Sequence, residues 1–352
     1  MDIYLKDVLH QPDALSKAIK VYFSEDYIKK VKKIIRSLKI GTNSNIYFTG
    51  MGSSLHSAYG PVMFMNTKGV KAFVKSSGEF LYYGVNSLKE EDVVVIISQS
   101  GGSAEVVKLV SELGKKKFTY ILLVTNDETC KVSKKVKRIL PMCLEPEEFV
   151  ATRTYLGSVI INMIIAYLVT GERLKSLKDE LNFILITMTG YLKEYKANSK
   201  KLEEFLGEVN HVEFLGRGPG YASALVSALC MKEYSKIPNE ALELADFKHG
   251  PFEIVNKDFK AFVFAPSGRT YNISVKAARD IADKGAKVVL VTDEDPGFAN
   301  ENILTICLKG GNEYLSQIRD FMPHQLFNQV LADKLNVRKD GWIYGSKVTS
   351  EE

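Results

Sequence analysis

The chain has 352 residues, 45% hydrophobic and 25% charged, with a formal net charge of +5. Those proportions describe a soluble globular protein long enough for two domains, each with its own core. There is no apolar run of about 18 residues to suggest a membrane span, and the opening MDIYLKDVLHQPDAL lacks the regions of a signal peptide.

Cys130, Cys143, Cys230 and Cys307 form no CxxC and are read as reduced thiols of a cytoplasmic protein. The histidines are scattered without metal-ligand spacing, so neither a metal nor a cofactor is expected. The lysine clusters KKVKKIIR, GKKKF and KVSKKVKR read as solvated faces, and no aromatic-interleaved basic stripe points to nucleic acid. A small positive excess suits an anionic small molecule.

In chain order, Met1–Ser44 reads as helical and is expected to pack across two halves. A short strand near Ile46–Phe48 runs into GMGSS, and a helical pattern follows over Leu55–Met65. Strands near Lys71–Val74, Val93–Ile97 and Tyr120–Val124 alternate with helices over Ala104–Leu113 and Tyr155–Leu168. The polar stretch Lys193–Glu204 then connects to a second copy. IYFTGMGSS resembles VEFLGRGPG, and TYILLVTND resembles AKVVLVTDE; Gly50 and Gly216, Ser100 and Ser267, and Thr125 and Thr292 share nearly one offset.

Continuous apolar strands alternating with helices imply parallel sheets covered on both faces. The expected fold is α/β: two tandem doubly wound parallel-sheet domains, each a three-layer α/β/α sandwich. The expected boundaries are a helical segment at 1–44, a first domain at 45–192 and a second at 205–352 that includes the C-terminal tail.

In such sheets a ligand sits beyond the carboxyl ends of the strands, where SQSGGS stands. Ser98, Gln99, Ser100 and Ser103 offer donors, and a helix beginning at Ala104 adds unpaired amides and a positive dipole end. Ser54, in GMGSS, is a further candidate. The plainer alternative is an ordinary turn with serine as helix N-cap. GMGSSLHSAYG does not fit GxGxxG, and no P-loop is present, so phosphate on a small molecule is preferred to a nucleotide. In the second copy APSGRT replaces the polar cluster, and the distinctive residues are Glu233 and His249 within KEYSKIPNEALELADFKHGP. A carboxylate and an imidazole near one sugar could move protons.

At these residues the chain resembles tandem sugar-isomerase (SIS) domain proteins, in particular the isomerase half of glucosamine-6-phosphate synthase and stand-alone sugar-phosphate deaminases and fructosamine-6-phosphate deglycases. The resemblance runs through GMGSS, SSGEF, SQSGGSAE, VATRTY, FLGRGPGYASALVSALCMKE, FKHGPFEIV and SKVTSEE. It implies phosphate binding by Ser54, Ser98, Gln99, Ser100 and Ser103, and sugar contacts from the backbone at Val150 and Ala151. It also implies proton transfer between C1 and C2 by Glu233, ring opening by His249 from the neighbouring subunit of a homodimer, and an imine on Lys347.

Two positions depart from the synthase. Cys230 stands where it has a lysine, and Val226 where it has an acidic residue. The chain also begins where the isomerase half would, without a glutaminase domain. These features lead to an expected substrate, a hexose 6-phosphate carrying an amine (an amino sugar or fructosamine 6-phosphate), and to deaminase or deglycase chemistry. Aldose–ketose isomerisation and a non-catalytic sugar-phosphate sensor are the alternatives.

Overall fold

A computed structural model describes residues 2–147, 149–337, 341–349 and 351. The chain divides into two compact units: Asp13–Asp179 with Trp342–Glu352 (the first unit), and Met1–Pro12 with Glu180–Gly341 (the second). The tail that the sequence reading carried with the second domain is thus grouped with the first. Helix α1 (Ile3–Tyr22) contributes its opening residues to the second unit and the remainder to the first.

In the first unit, strands β1 (Ile46–Gly50), β2 (Ala72–Ser76), β3 (Val93–Ile97), β4 (Ile121–Thr125) and β5 (Ile139–Pro141) form a parallel sheet in the order β2-β1-β3-β4-β5. All five residues of β3 and of β4 are buried, as strands covered on both faces require. The sheet adds β5, a strand of three residues, to those the apolar pattern shows. One face is filled by Val94, Ile96, Val106, Leu109, Val110 and Leu123.

Helix α2 (Glu25–Ser37) starts where Ser24 Oγ accepts the Tyr27 amide, and it buries Tyr27, Val31 and Ile34 on one stripe. Its lysines lie on the exposed side. Helices α3 (Gly52–His56), α4 (Tyr59–Thr67), α5 (Ser77–Glu79), α6 (Ala104–Lys115) and α7 (Arg153–Thr170) complete the unit. The single helical pattern expected over Leu55–Met65 is divided between α3 and α4. The sequence reading found no apolar run long enough to cross a membrane, yet α7, with 18 residues, reaches that length and apolarity. Its residues from Arg153 to Tyr167 are all buried in the unit, so it serves as a core helix.

Helix α8 (Leu174–Lys193) leads into α9 (Tyr195–Leu206), so the polar connection is itself helical, anchored by buried Leu202 and Leu206. The second unit holds β6 (Val212–Gly216), α10 (Pro219–Glu233), β7 (Asn239–Glu243), α11 (Leu244–Lys248), β8 (Lys260–Ala265), α12 (Tyr271–Ala282), β9 (Lys287–Thr292), β10 (Ile303–Cys307), α13 (Ser316–Arg319) and α14 (Phe321–Lys334). Its parallel sheet has the order β10-β9-β8-β6-β7. From the other edge that is the first sheet's order, so the internal repeat is two copies of one doubly wound topology. A core of Leu215, Phe247, Val263, Ala278, Ile281 and Leu290 packs against it.

Candidate functional site

In the order β2-β1-β3-β4-β5 the direction of winding reverses between β1 and β3, and the carboxyl ends of strands at such a reversal are where doubly wound sheets bind ligands. Both polar turns emerge there: GMGSS follows β1 and SQSGGS follows β3. The turns lie backbone to backbone, since a Cβ on Gly50 would stand 2.7 Å from the carbonyl of Ile97. Ser54 enters from the first turn, and Ser98, Gln99, Ser100 and Ser103 from the second.

Within the second turn, Ser98 Oγ accepts the Gly101 amide at 3.1 Å, and Ser100 Oγ accepts the Gly102 amide at 3.2 Å. A hydroxyl that accepts can still donate its own proton, so both remain donors toward an anion. Gly101 adopts φ +55°, a left-handed value suited to glycine. Ser103 stands at the N-cap of α6, but its side chain makes no capping bond. The turn is therefore not a serine-capped helix start. One expected donor is already engaged: the Ala104 amide donates to the carbonyl of Thr349 at 3.0 Å. The donors this turn could still offer an anion are chiefly its side-chain hydroxyls.

That carbonyl belongs to the C-terminal tail, which brings Lys347 into the same unit. Lys347 Nζ donates to the Glu147 carbonyl and lies 3.6 Å from its Oε1. Glu147 is 5% exposed. Its Oε2 accepts from the Thr152 amide at 3.2 Å, Thr152 Oγ1 at 3.1 Å and the Thr154 amide at 3.3 Å, and its Oε1 accepts from Thr154 Oγ1. Val150 and Ala151 lie on the loop so held, at the start of α7.

In the second unit the equivalent loop is closed on itself. Where the first repeat has Asn126, the second has Asp293, whose carboxylate accepts the Ser267 amide and hydroxyl, each at 2.6 Å. Arg319, fully buried, pairs with Asp293 at 3.0 Å and with Asp320 at 3.1 Å. Glu313 accepts the Arg269 amide at 3.3 Å. The protein's own carboxylates occupy the donors that an external anion would use.

Glu233 is the last residue of α10 and is half-buried, with Lys236 Nζ bonded to its carbonyl at 3.2 Å. His249 is exposed, just past α11. Between them run β7 and α11, and Lys248, next to His249, pairs with Asp280 near the C-terminal end of α12 at 2.6 Å. Cys230 and Val226, each 1% exposed, replace the synthase's charged positions with buried neutral ones. The Cys230 thiol lies 3.3 Å from the Tyr4 hydroxyl, and Tyr4 stacks on Tyr234 at 3.9 Å. Burial pushes both phenols well up, so the cluster carries no phenolate at neutral pH.

Sequence reasoning missed Glu147. It is one of three glutamates in LEPEEFVATRT, and no periodicity marks it as buried.

A doubly wound pair of repeats with a hydroxyl-lined turn at the point of reversal of the first sheet defines an α/β protein of tandem type. Two stretches, residues 39–167 and 205–332, match the SIS domain, and the chain belongs to that family. It is 27% identical over 339 residues to the isomerizing glutamine–fructose-6-phosphate aminotransferase of Thermococcus kodakarensis, covering 93% of this chain and 54% of that protein. The chain thus spans about half the length of this curated relative. It shares its fold with the C-terminal domain of the glucosamine-fructose-6-phosphate aminotransferase of Francisella tularensis (TM-score 0.85, 21% identity, covering 97% of this chain and 98% of that one). The glucosamine-6-phosphate deaminase of Thermotoga maritima has the same fold (TM-score 0.76, 20% identity, covering 98% of each chain).

Proposed function

We propose that this chain is a phosphosugar-processing enzyme acting at C1 and C2 of an amino-substituted hexose 6-phosphate, as a deaminase or deglycase. The observation that carries the reading is the seating of the Lys347 tail against the hydroxyl-lined turn of the first unit: Thr349 bonds the start of α6, and the amine stands beside the Val150–Ala151 loop.

In this reading Ser54, Ser98, Gln99, Ser100 and Ser103 hold the phosphate, and the backbone at Val150 and Ala151 meets the sugar. Phosphate contacts remote from C1 and C2 supply binding energy that orients the reacting carbons. His249 assists ring opening, and Glu233 moves one proton between C1 and C2, a contribution of about 10²–10⁴-fold for a well-placed base. The transfer turns the carbon that bears the substrate's amine into an iminium. Lys347 adds to that carbon and expels the ammonia or amine, and water then hydrolyses the lysine imine to the sugar phosphate carbonyl and free lysine.

A homodimer in which the imidazole of His249 comes from the second copy is what the resemblance to the synthase's isomerase half implies. The cytoplasmic setting is supported by four cysteines that are all free of disulfides. The names of the relatives, a synthase on fructose 6-phosphate and a glucosamine-6-phosphate deaminase, support the substrate class.

The test is incubation of the purified protein with glucosamine 6-phosphate and with a fructosamine 6-phosphate, followed by assay of released ammonia or amine. Release from either, with Glu233→Gln binding sugar but not turning it over, is the expected result. Tight binding without release from both would make the protein a sensor.

A further inference from the structure

The tail meets the first unit at four places. Trp342 stands edge-on to Phe149, ring centroids 5.1 Å apart. Lys347 bonds the Glu147 carbonyl and approaches its carboxylate at 3.6 Å. Val348 lies over Gly102, where a Cβ would come within 3.2 Å of its Cγ1, and Thr349 accepts the Ala104 amide at 3.0 Å. Two of the four contacts reach the anion turn, and the other two reach the loop of residues 147–154.

Glu147 is common to both segments. Its carboxylate collects amides and hydroxyls of Thr152 and Thr154 at the start of α7, where the helix dipole favours a negative charge. It thereby fixes the loop that presents Val150 and Ala151, and the same buried carboxylate faces the Lys347 amine. Surface ion pairs contribute little, but one against a carboxylate 5% exposed is less screened by water.

We propose that Glu147 is a positioning residue: it latches the C-terminal tail across the anion turn and parks Lys347 as an ammonium beside the sugar loop. The proposal rests on the reading of Lys347 as the imine-forming amine. Its test is arranged to fail separately from that reading.

The experiment compares wild type, Glu147→Gln, Lys347→Arg and Lys347→Ala by hydrogen exchange of the Ala104 amide and by acylation of Lys347, where present, with an amine-selective reagent, read by mass spectrometry. In Glu147→Gln, Lys347 acylation and Ala104 exchange should each rise about tenfold. Lys347→Arg should keep Ala104 protected, because a guanidinium can still donate to Glu147, and Lys347→Ala should lose that protection.

Wild-type labelling and exchange in a folded Glu147→Gln overturn the proposal. If that variant does not fold, unchanged Ala104 exchange in Lys347→Ala does so instead. If the latch responds as expected but no protein releases amine or ammonia, the enzymatic reading fails and the latch stands. If wild type turns over and Glu147→Gln matches it in kcat and KM, the latch is overturned and the enzymatic reading stands.

Discussion

The amide of Ala104 donates to the carbonyl of Thr349 at 3.0 Å, so the first residue of α6 is capped by the chain's C-terminal tail. With the Gly101 and Gly102 amides also engaged, by Ser98 Oγ and Ser100 Oγ, the proposed recognition of an anion at this turn would rest on hydroxyl protons.

Ser98→Ala and Ser100→Ala should therefore each weaken hexose 6-phosphate binding by about tenfold, the size of one charge-assisted hydrogen bond. Titration calorimetry measures it, with circular dichroism as the fold control. Unchanged affinity in both variants would remove the turn from phosphate recognition.

Gly101→Ala should be costly on two counts. Its φ of +55° disfavours a side chain, and a Cβ there would run into Cys130 Sγ. A loss of about 2–4 kcal/mol is expected in urea denaturation, partly restored by Cys130→Ala.

His324 sets a pH dependence. It is fully buried among Phe214, Phe262 and Phe321, and neither ring nitrogen has a hydrogen-bond partner. Desolvation lowers its pKa from 6.5 to about 3. Between those values the unfolded chain binds the proton and the folded chain does not. Stability should thus be whole above about pH 6.5 and fall as pH drops toward 3, by a sum on the order of 3–5 kcal/mol. His324→Phe should flatten that part of the stability–pH curve; an unchanged slope would show that His324 does not cause it.

Asp293→Ala should destabilise the second unit by about 3–5 kcal/mol, because it strips a partner from the buried Arg319. In the unmodified protein, equilibrium dialysis with hexose 6-phosphate should saturate at one phosphate per chain, the second repeat's loop being held by Asp293 and Glu313. Two equivalents would contradict that assignment.

Much of this was legible in the residues. The apolar runs of β3 and β4 announced buried parallel strands, and the near-constant offset of the repeats announced two copies. SQSGGS was legible as the turn after β3, and the strand order puts that turn at the point of reversal. Short β5 was not legible, since three residues carry too little pattern. The helical character of Lys193–Glu204 was hidden by its polarity, which leaves Leu202 as its buried residue.

By itself, then, the sequence determined the repeat, the sheet class and the chemical types at each turn, because periodicity and composition act locally. Tertiary structure alone decided that Glu147 lies inside, that the tail belongs with the first unit, and that Asp293 closes the second loop. Burial and pairing are settled by what the folded chain brings alongside, and no local pattern encodes a partner two hundred residues away.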